Sequence, residues 1–157
     1  MEYRDFCPED YQYLKCLLKE LQDFFVEMED EYRSFSEDDA QKYLDKIIND
    51  AKEMNGKIYL ALKDGEAVGF IQGVIIDKND LQYHPCREGW IGLLFVEKNL
   101  RGGSIGKSLM DKMCAYFRSK QCDYIKLFCS EKNENAVDFY KKNGFEISNL
   151  ELKLNGK

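Results

Sequence analysis

The sequence predicts a mixed α/β (α+β) fold in a single domain spanning residues 1–157. Two early segments carry apolar residues at helical spacing, and two later ones carry strand-forming residues on either side of Asp64-Gly65. A nearly continuous apolar run then leads through a glycine-rich turn into another helical pattern. The predicted order of elements is β-α-α-β-β-β-α-β-α-β, with a crossover connection near the middle of the chain.

The N-terminal third is predicted to hold a short strand and two helices. We expect the strand at Glu2–Phe6 and the first helix at Pro8–Met28, because proline suits an early helical position. The second helix is expected at Glu37–Met54, where Ser36 is a good N-cap residue and Asp39 follows three positions later. Each helix has a single apolar stripe, which is typical of an amphipathic helix.

The rest of the chain is predicted to alternate strands and helices. Asp64-Gly65 is a strong two-residue hairpin signal. A strand without charged residues at Trp90–Val96 is typical of a central position in a sheet covered on both faces. The predicted segments are strands at Lys57–Lys63 and Glu66–Ile76, a polar loop at Asp77–Cys86, a strand at Trp90–Val96, a helix with a stripe from Ile105 to Phe117, a strand at Asp123–Cys129, a helix at Asn135–Asn143, and one or two strands within Phe145–Leu154.

Composition excludes several classes of protein. With 44% apolar and 33% charged residues, the chain does not have the composition of a disordered protein. No uncharged apolar run approaches the ~20 residues that cross a bilayer, so no membrane partner is expected. The first residues lack the basic and apolar stretches of a secretion signal, which favours a cytoplasmic protein. Six cysteines without C-x-x-C spacing and a single histidine form no recognisable metal pattern, so we expect reduced thiols and no metal.

The net charge of −6 is unevenly distributed along the chain. Residues 1–55 hold 16 acidic and 7 basic residues, whereas residues 56–157 hold 13 acidic and 16 basic residues. Such an asymmetry indicates two ligands of opposite charge, although a solvated acidic helix face would give the same composition. Net acidity argues against nucleic acid as the main partner.

The glycine-rich turn at Arg101–Lys107 follows the apolar strand and opens a helix, which is the general arrangement for binding phosphate. A plain strand-to-helix turn and a nucleotide-binding α/β domain are the alternatives. A P-loop requires G-x-x-x-x-G-K-[ST], and the run from Gly102 to Lys107-Ser108 is one residue short. The glycines also do not fit the G-x-G-x-x-G dinucleotide pattern.

Two motifs resemble the signature of the GNAT superfamily of N-acetyltransferases. The first is Arg101-Gly102-Gly103-Ser104-Ile105-Gly106, in which Ser104 occupies a position where glycine is usual. The second is Asn133-x-x-Ala136-x-x-Phe139-Tyr140, followed by Asn143-Gly144-Phe145. The resemblance implies a mostly antiparallel central sheet flanked by helices, and acetyl-CoA as the acetyl donor.

The resemblance also implies roles for individual residues. The backbone of Leu94, Phe95 and Val96 would pair with the pantetheine arm, and a backbone N–H of this strand would stabilise the oxyanion. Tyr140 would be the general acid that protonates the departing thiolate, although the alternative is an aromatic residue of the core. Asn133 would hydrogen-bond the cofactor arm and Phe139 would pack nearby. The amides expected to bind the pyrophosphate belong to Arg101, Gly102, Gly103, Ser104, Ile105, Gly106 and Lys107.

The general base and the acceptor are less defined by the sequence. The strand Trp90–Val96 has no carboxylate, and Gly92 occupies the position where some aminoglycoside-modifying relatives have glutamate. Glu88, His84 and Glu31 are the candidate bases, and deprotonation in bulk water is a further option.

The acidic N-terminal segment, including Glu27 and Glu31, predicts a small cationic amine such as an aminoglycoside or a polyamine as the acceptor. Acetylation of a protein lysine or N-terminus is one alternative, and a non-catalytic CoA-binding sensor is another. A homodimer is expected by analogy with relatives.

Overall fold

The computed structural model describes all residues from 1 to 157. Its helices and strands follow the predicted order up to the last helix. They are β1 (Glu2–Asp5), a 3₁₀ turn (Pro8–Asp10), α1 (Tyr11–Met28), α2 (Glu37–Glu53), β2 (Lys57–Lys63), β3 (Glu66–Lys78), β4 (Cys86–Val96), a second 3₁₀ turn (Lys98–Leu100), α3 (Ile105–Ser119), β5 (Tyr124–Leu127) and α4 (Glu134–Lys142). None of these helices is long and apolar enough to cross a membrane.

The five strands form one sheet in the order β1-β2-β3-β4-β5. The first four strands are mutually antiparallel, and β5 runs parallel to β4 because α3 carries the chain across the sheet between them. One apolar core lies between the sheet and helices α1 and α2, and a second lies between the sheet and α3. The mostly antiparallel sheet flanked by helices is therefore confirmed.

Local sequence signals explain the first helices and the hairpin. Ser36 accepts a hydrogen bond from the Asp39 amide at 3.1 Å, and Asp39 accepts one from the Ser36 amide, which completes a capping box. Asp64 and Gly65 have φ values of +53° and +88°, as a tight hairpin turn requires. The predicted start of α2 and the β2–β3 hairpin are confirmed.

A pair of oppositely charged residues ties the first strand to the first helix. Asp10 is buried and accepts hydrogen bonds from the Arg4 guanidinium at 2.7 and 2.8 Å. These bonds hold the pKa of the Asp10 carboxyl well below its usual range, although burial opposes the shift. The contact fixes the N-terminus of α1 beside the edge of the sheet.

A β-bulge interrupts the pairing of β3 with β4. Gln72 pairs with Leu93 and Gly73 pairs with Ile91, so Gly92 is left without a partner between them. The pairing of β4 with β5 ends at the same point, with Ile91 opposite Leu127. Beyond Ile91, β4 therefore has no strand on its β5 side, and the space beside this free edge is here called the cleft.

Two sequence expectations about the strands were wrong. The first concerns the predicted loop Asp77–Cys86, which is shorter than expected because β3 continues to Lys78 and β4 begins at Cys86. The two strands pair along this extension, with Asp77 opposite Arg87 and hydrogen-bonded to its guanidinium at 2.6 Å. Cross-strand pairing of charged side chains stabilises an extended hairpin that the polar sequence did not indicate.

The second wrong expectation is the final strand within Phe145–Leu154. Residues 146–157, here called the C-terminal tail, form no strand, and all of them are exposed. The alternation of Leu150, Leu152 and Leu154 suits a strand, but no backbone hydrogen bond joins the tail to β5. A strand needs a partner for its amides, and within one chain this segment has none.

Candidate functional site

The cleft between β4 and β5 exposes a free edge of β4. From Leu93 to Val96, β4 pairs only with β3, and its other edge has no strand beside it. Leu94, Phe95 and Val96 lie on this segment, as the sequence predicted for the strand beside the glycine-rich turn. A free strand edge offers backbone donors and acceptors to any extended ligand that carries amide groups.

The glycine-rich turn at the end of β4 presents a row of unpaired amides. No backbone amide from Gly102 to Lys107 donates a hydrogen bond within the protein, and the first helical bond of this region runs from the Ser108 amide to the Ser104 carbonyl at 2.8 Å. Gly102 has a φ of +80°, a left-handed conformation that suits glycine. Six consecutive free amides at the N-terminus of a 15-residue helix are an arrangement that favours anion binding.

Ser104 fits this turn without strain. Its φ of −86° and ψ of −6° lie in the right-handed helical region, which serine adopts readily. Its hydroxyl caps no amide of α3 and so remains available to an anion. The position that is usually glycine in the resembling motif therefore does not need glycine for its backbone conformation here.

The side chain of Arg101 holds the turn rather than pointing freely into it. Its Nε donates a hydrogen bond to the Val96 carbonyl at 2.7 Å. The guanidinium lies 5.1 Å from the ring centre of Phe24 and 5.2 Å from that of Phe95. The side chain of Arg101 thus links the turn to the end of β4 and to α1. The free backbone amides belong to the residues that follow Arg101.

Helix α4 packs beside the start of α3. Asn133 caps α4 by accepting a hydrogen bond from the Ala136 amide at 3.2 Å through Oδ1, which leaves its side-chain amino group free to donate. Phe139 lies close enough to Gly106 that a β-carbon added there would be 3.7 Å from the phenyl ring. The two motifs that are separate in sequence are therefore adjacent in space.

Tyr140 is held by aromatic contacts on α4. Its ring meets Phe139 edge-on at 5.4 Å and Phe145 edge-on at 5.8 Å between ring centres. Burial, with a smaller contribution from the nearby Cys129, raises the pKa of the Tyr140 phenol well above its usual range. The phenol therefore stays protonated at neutral pH, which a proton donor requires.

Glu88 is the most buried carboxylate of the protein, with 1% of its surface exposed. It contacts the ammonium groups of Lys126 and Lys78, and it accepts a hydrogen bond from the Trp90 indole at 2.8 Å. Burial alone would raise its pKa, but the hydrogen bonds from Lys126, Trp90 and Lys78 outweigh burial and lower the pKa. A carboxylate with a low pKa and two lysine partners is a poor proton acceptor, so this geometry argues against the base role expected for Glu88.

The other candidate acidic and basic residues lie at the surface. His84 is exposed in the loop between β3 and β4, and Glu27 is exposed on α1. Glu31 is exposed and pairs with Lys153 of the C-terminal tail at 2.8 Å. Glu29 accepts a hydrogen bond from the Ser130 hydroxyl at 2.6 Å.

Lys132 also contacts Glu29, at 2.9 Å. The hydrogen bonds from Ser130 and Lys132 lower the pKa of Glu29. The connection between α1 and α2 therefore lies beside the loop that follows β5. Two of its carboxylates, Glu29 and Glu31, already hold lysines of the same chain.

Sequence reasoning missed Gln72, which lies opposite the β4 bulge. Its side chain is 5% exposed, and its amide forms no hydrogen bond within the protein. A β-carbon added at Gly92 would lie 2.3 Å from Gln72 Oε1, so the amide occupies the space beside this glycine. The sequence did offer one indication of this residue, because Gln72 is the single polar residue within the apolar segment Val68–Ile76.

Comparisons with known proteins agree with this architecture. Residues 19–145 match the model of the acetyltransferase (GNAT) family. The chain is 33% identical over 84 residues to the uncharacterized N-acetyltransferase MJ1207 of Methanocaldococcus jannaschii, which covers 53% of this chain and 36% of that protein. It is 33% identical over 73 residues to N-alpha-acetyltransferase 30 of Saccharomyces cerevisiae, which covers 46% of this chain and 42% of that protein. The chain thus spans less than half the length of these relatives.

Among solved structures, the fold is similar to the aminoglycoside N-acetyltransferase AAC(6')-Iy in complex with CoA. The TM-score is 0.78 at 16% sequence identity, and the match covers 99% of this chain and 94% of that one. At this level of identity the similarity shows the fold, with helices and sheet arranged in the same way.

Proposed function

Because the chain belongs to the GNAT family of acetyltransferases, we propose that it transfers the acetyl group of acetyl-CoA to the primary amine of a small cationic molecule. The observation that carries the donor half of this proposal is the row of six free amides, from Gly102 to Lys107, directly after the free edge of β4. The amides suit a pyrophosphate, and the strand edge suits the amide groups of a pantetheine arm. One ligand that carries both groups in sequence is CoA.

The chemistry assigned to the cleft is a single acyl transfer. A neutral amine attacks the thioester carbonyl, a C–N bond forms and the C–S bond breaks. The Tyr140 phenol donates its proton to the departing sulfur, and the proton lost from the amine restores the phenol through solvent. The products are an N-acetyl amine and CoA with a free thiol.

The acceptor half of the proposal depends on charge. Glu29 of the α1–α2 connection contacts the loop after β5, Asp30 and Glu31 follow it in the chain, and residues 1–55 carry the acidic excess. An acidic rim attracts amines that carry several positive charges. The fold is also that of an enzyme acting on aminoglycosides, which are polycationic amines.

A second candidate function is acetylation of a polypeptide N-terminus or lysine. The observation that favours it is the 33% identity to N-alpha-acetyltransferase 30 over 73 residues. A lysine-containing peptide and a peptide with a free N-terminus therefore belong in the same assay as the small amines. A non-catalytic CoA-binding sensor is the outcome if CoA binds and none of these acceptors is acetylated.

The test measures free CoA thiol released from acetyl-CoA in the presence of spermidine, kanamycin A, glucosamine or either peptide. We expect the highest kcat/KM for a polycationic small amine, and a loss of rate as ionic strength increases. In Tyr140→Phe we expect kcat to fall about 10²- to 10⁴-fold with CoA affinity retained. Phe145→Leu, whose native ring also packs edge-on against Tyr140, controls for loss of packing, because it keeps the phenol. Equal rates in Tyr140→Phe and wild type would exclude the acid role.

We further propose that the protein is a cytoplasmic homodimer. All six cysteines are free thiols, which suits a reducing compartment. The C-terminal tail exposes Leu150, Leu152 and Leu154, and the outer edge of β5 has no strand beside it. Exposed apolar side chains and an open sheet edge each favour association with a second chain.

A further inference from the structure

Gln72 lies in the middle of β3 on the sheet face that α1 and α2 cover. Its neighbour two positions earlier, Phe70, belongs to the core of that face, and Gln72 itself is 5% exposed. The side-chain amide of Gln72 makes no hydrogen bond within the protein. Every fully buried polar side-chain atom of the protein has a partner, so the amide atoms of Gln72 are not fully buried and retain access to solvent. A mostly buried side chain whose amide has no protein partner requires an explanation, and a ligand that hydrogen-bonds to the amide would supply one.

The amide of Gln72 occupies the space that a side chain at position 92 would fill. A β-carbon built on Gly92 would lie 2.3 Å from Gln72 Oε1 and 3.9 Å from Nε2. Gly92 is the exposed bulge residue at which β4 leaves β5, so this space opens into the cleft. The polar group at this point of the cleft is therefore an amide from β3 rather than a side chain from β4.

Two carboxylates that border the cleft are already paired with lysines. Strand β4 has no ionisable side chain from Gly89 to Val96, and Glu88 is bound by two lysines. Glu29, at the end of α1, is bound by Lys132. The charged and titratable groups around the cleft include Lys78 on β3, Glu88 on β4, Lys126 on β5, Glu29 with Lys132, Arg101 with Glu20 and Glu97 near it, and Tyr140 with Cys129 near it.

We infer that Gln72 is an acceptor-binding residue whose Oε1 accepts a hydrogen bond from the attacking amine and orients the nitrogen lone pair. The inference rests on the proposed acetyl transfer and adds to it. Because a carboxamide takes no proton at neutral pH, the amine enters the cleft already neutral. The pH at which the enzyme works is then set by the pKa of the acceptor amine, not by a base of the protein.

The test compares two variants of nearly equal size with the acceptor that gives the highest kcat/KM in the panel. Gln72→Met keeps the volume and removes the hydrogen bond, so KM for the amine is expected to rise about 3- to 10-fold with the Kd for CoA unchanged. Gln72→Glu introduces a proton acceptor, so kcat/KM at pH 6.0 is expected to exceed that of wild type about tenfold. Gln41→Glu, on the exposed face of α2, adds the same charge away from the cleft and is expected to behave as wild type.

The pH profiles separate the possible results. For wild type and Gln72→Met, log(kcat/KM) is expected to rise with unit slope up to the pKa of the amine. The role of Gln72 would be overturned if Gln72→Met had the wild-type KM for the amine. It would also be overturned if both profiles showed a protein ionisation below the pKa of the amine. Neither result would contradict the proposed acetyl transfer. CoA binding without turnover of any amine in the panel would instead overturn the proposed function, and this inference with it.

Discussion

Replacement of Gly102 by alanine tests most directly the proposed binding of phosphate by the glycine-rich turn. Gly102 has a φ of +80°, and a β-carbon added there would meet no atom within 4 Å. Alanine at this position therefore causes no collision, and its cost comes only from the left-handed backbone. That cost is about 1–2 kcal/mol for a residue with a β-carbon.

The cost is expected to appear as weaker CoA binding. If alanine lets the turn relax to a negative φ, the amides that follow residue 102 no longer point to one place, and binding must restore the left-handed conformation. The Kd for CoA then rises about 5- to 30-fold, since each 1.4 kcal/mol corresponds to a factor of ten. If the turn keeps its shape without ligand, the free energy of unfolding falls by the same amount instead.

Calorimetric titration with CoA and urea denaturation measure these two quantities. The matched control is Gly65→Ala, because Gly65 has a φ of +88°, equally open surroundings and a position in the β2–β3 hairpin. We expect Gly65→Ala to lose about the same free energy of unfolding and to keep the wild-type Kd for CoA. A Gly102→Ala protein that binds CoA and unfolds like wild type would refute the reasoning, as would an equal loss of CoA affinity in Gly65→Ala.

Three further predictions follow from pairs and surfaces away from this turn. Arg4 lowers the pKa of Asp10, so this ion pair stabilises the fold at neutral pH, and its contribution is lost as the pH falls below about 4. In urea denaturation at pH 7, Asp10→Asn is expected to be less stable than wild type by about 1.5–3 kcal/mol. The difference in stability is expected to become smaller in acid. Glu88→Gln is expected to lower the melting temperature while leaving the pH profile of acetyl transfer unchanged, and a shifted profile would restore Glu88 as a base. Leu150→Asp with Leu152→Asp is expected to convert a dimer of twice 18.4 kDa to a monomer in light scattering, and a dimer that persists in this variant would exclude the tail as the contact.

Most of the fold was predictable because its signals are local. The capping pair Ser36 and Asp39, the turn Asp64-Gly65 and the apolar stripes each act within a few residues of chain. The tail shows the limit of such signals: Leu150 and Leu152 alternate as in a strand, but a strand exists only when another strand supplies its hydrogen bonds.

In the candidate site, too, the features set by local sequence were predictable and those set by contacts between strands were not. By itself, the sequence determined the glycine-rich turn and its helix, because amide exposure at a helix N-terminus follows from the local backbone. Only the tertiary structure decided that Glu88 is bound by Lys78 and Lys126, and that Gln72 lies beside Gly92. These contacts join β3, β4 and β5, and their geometry depends on strand register and on one bulge, which local sequence patterns do not specify.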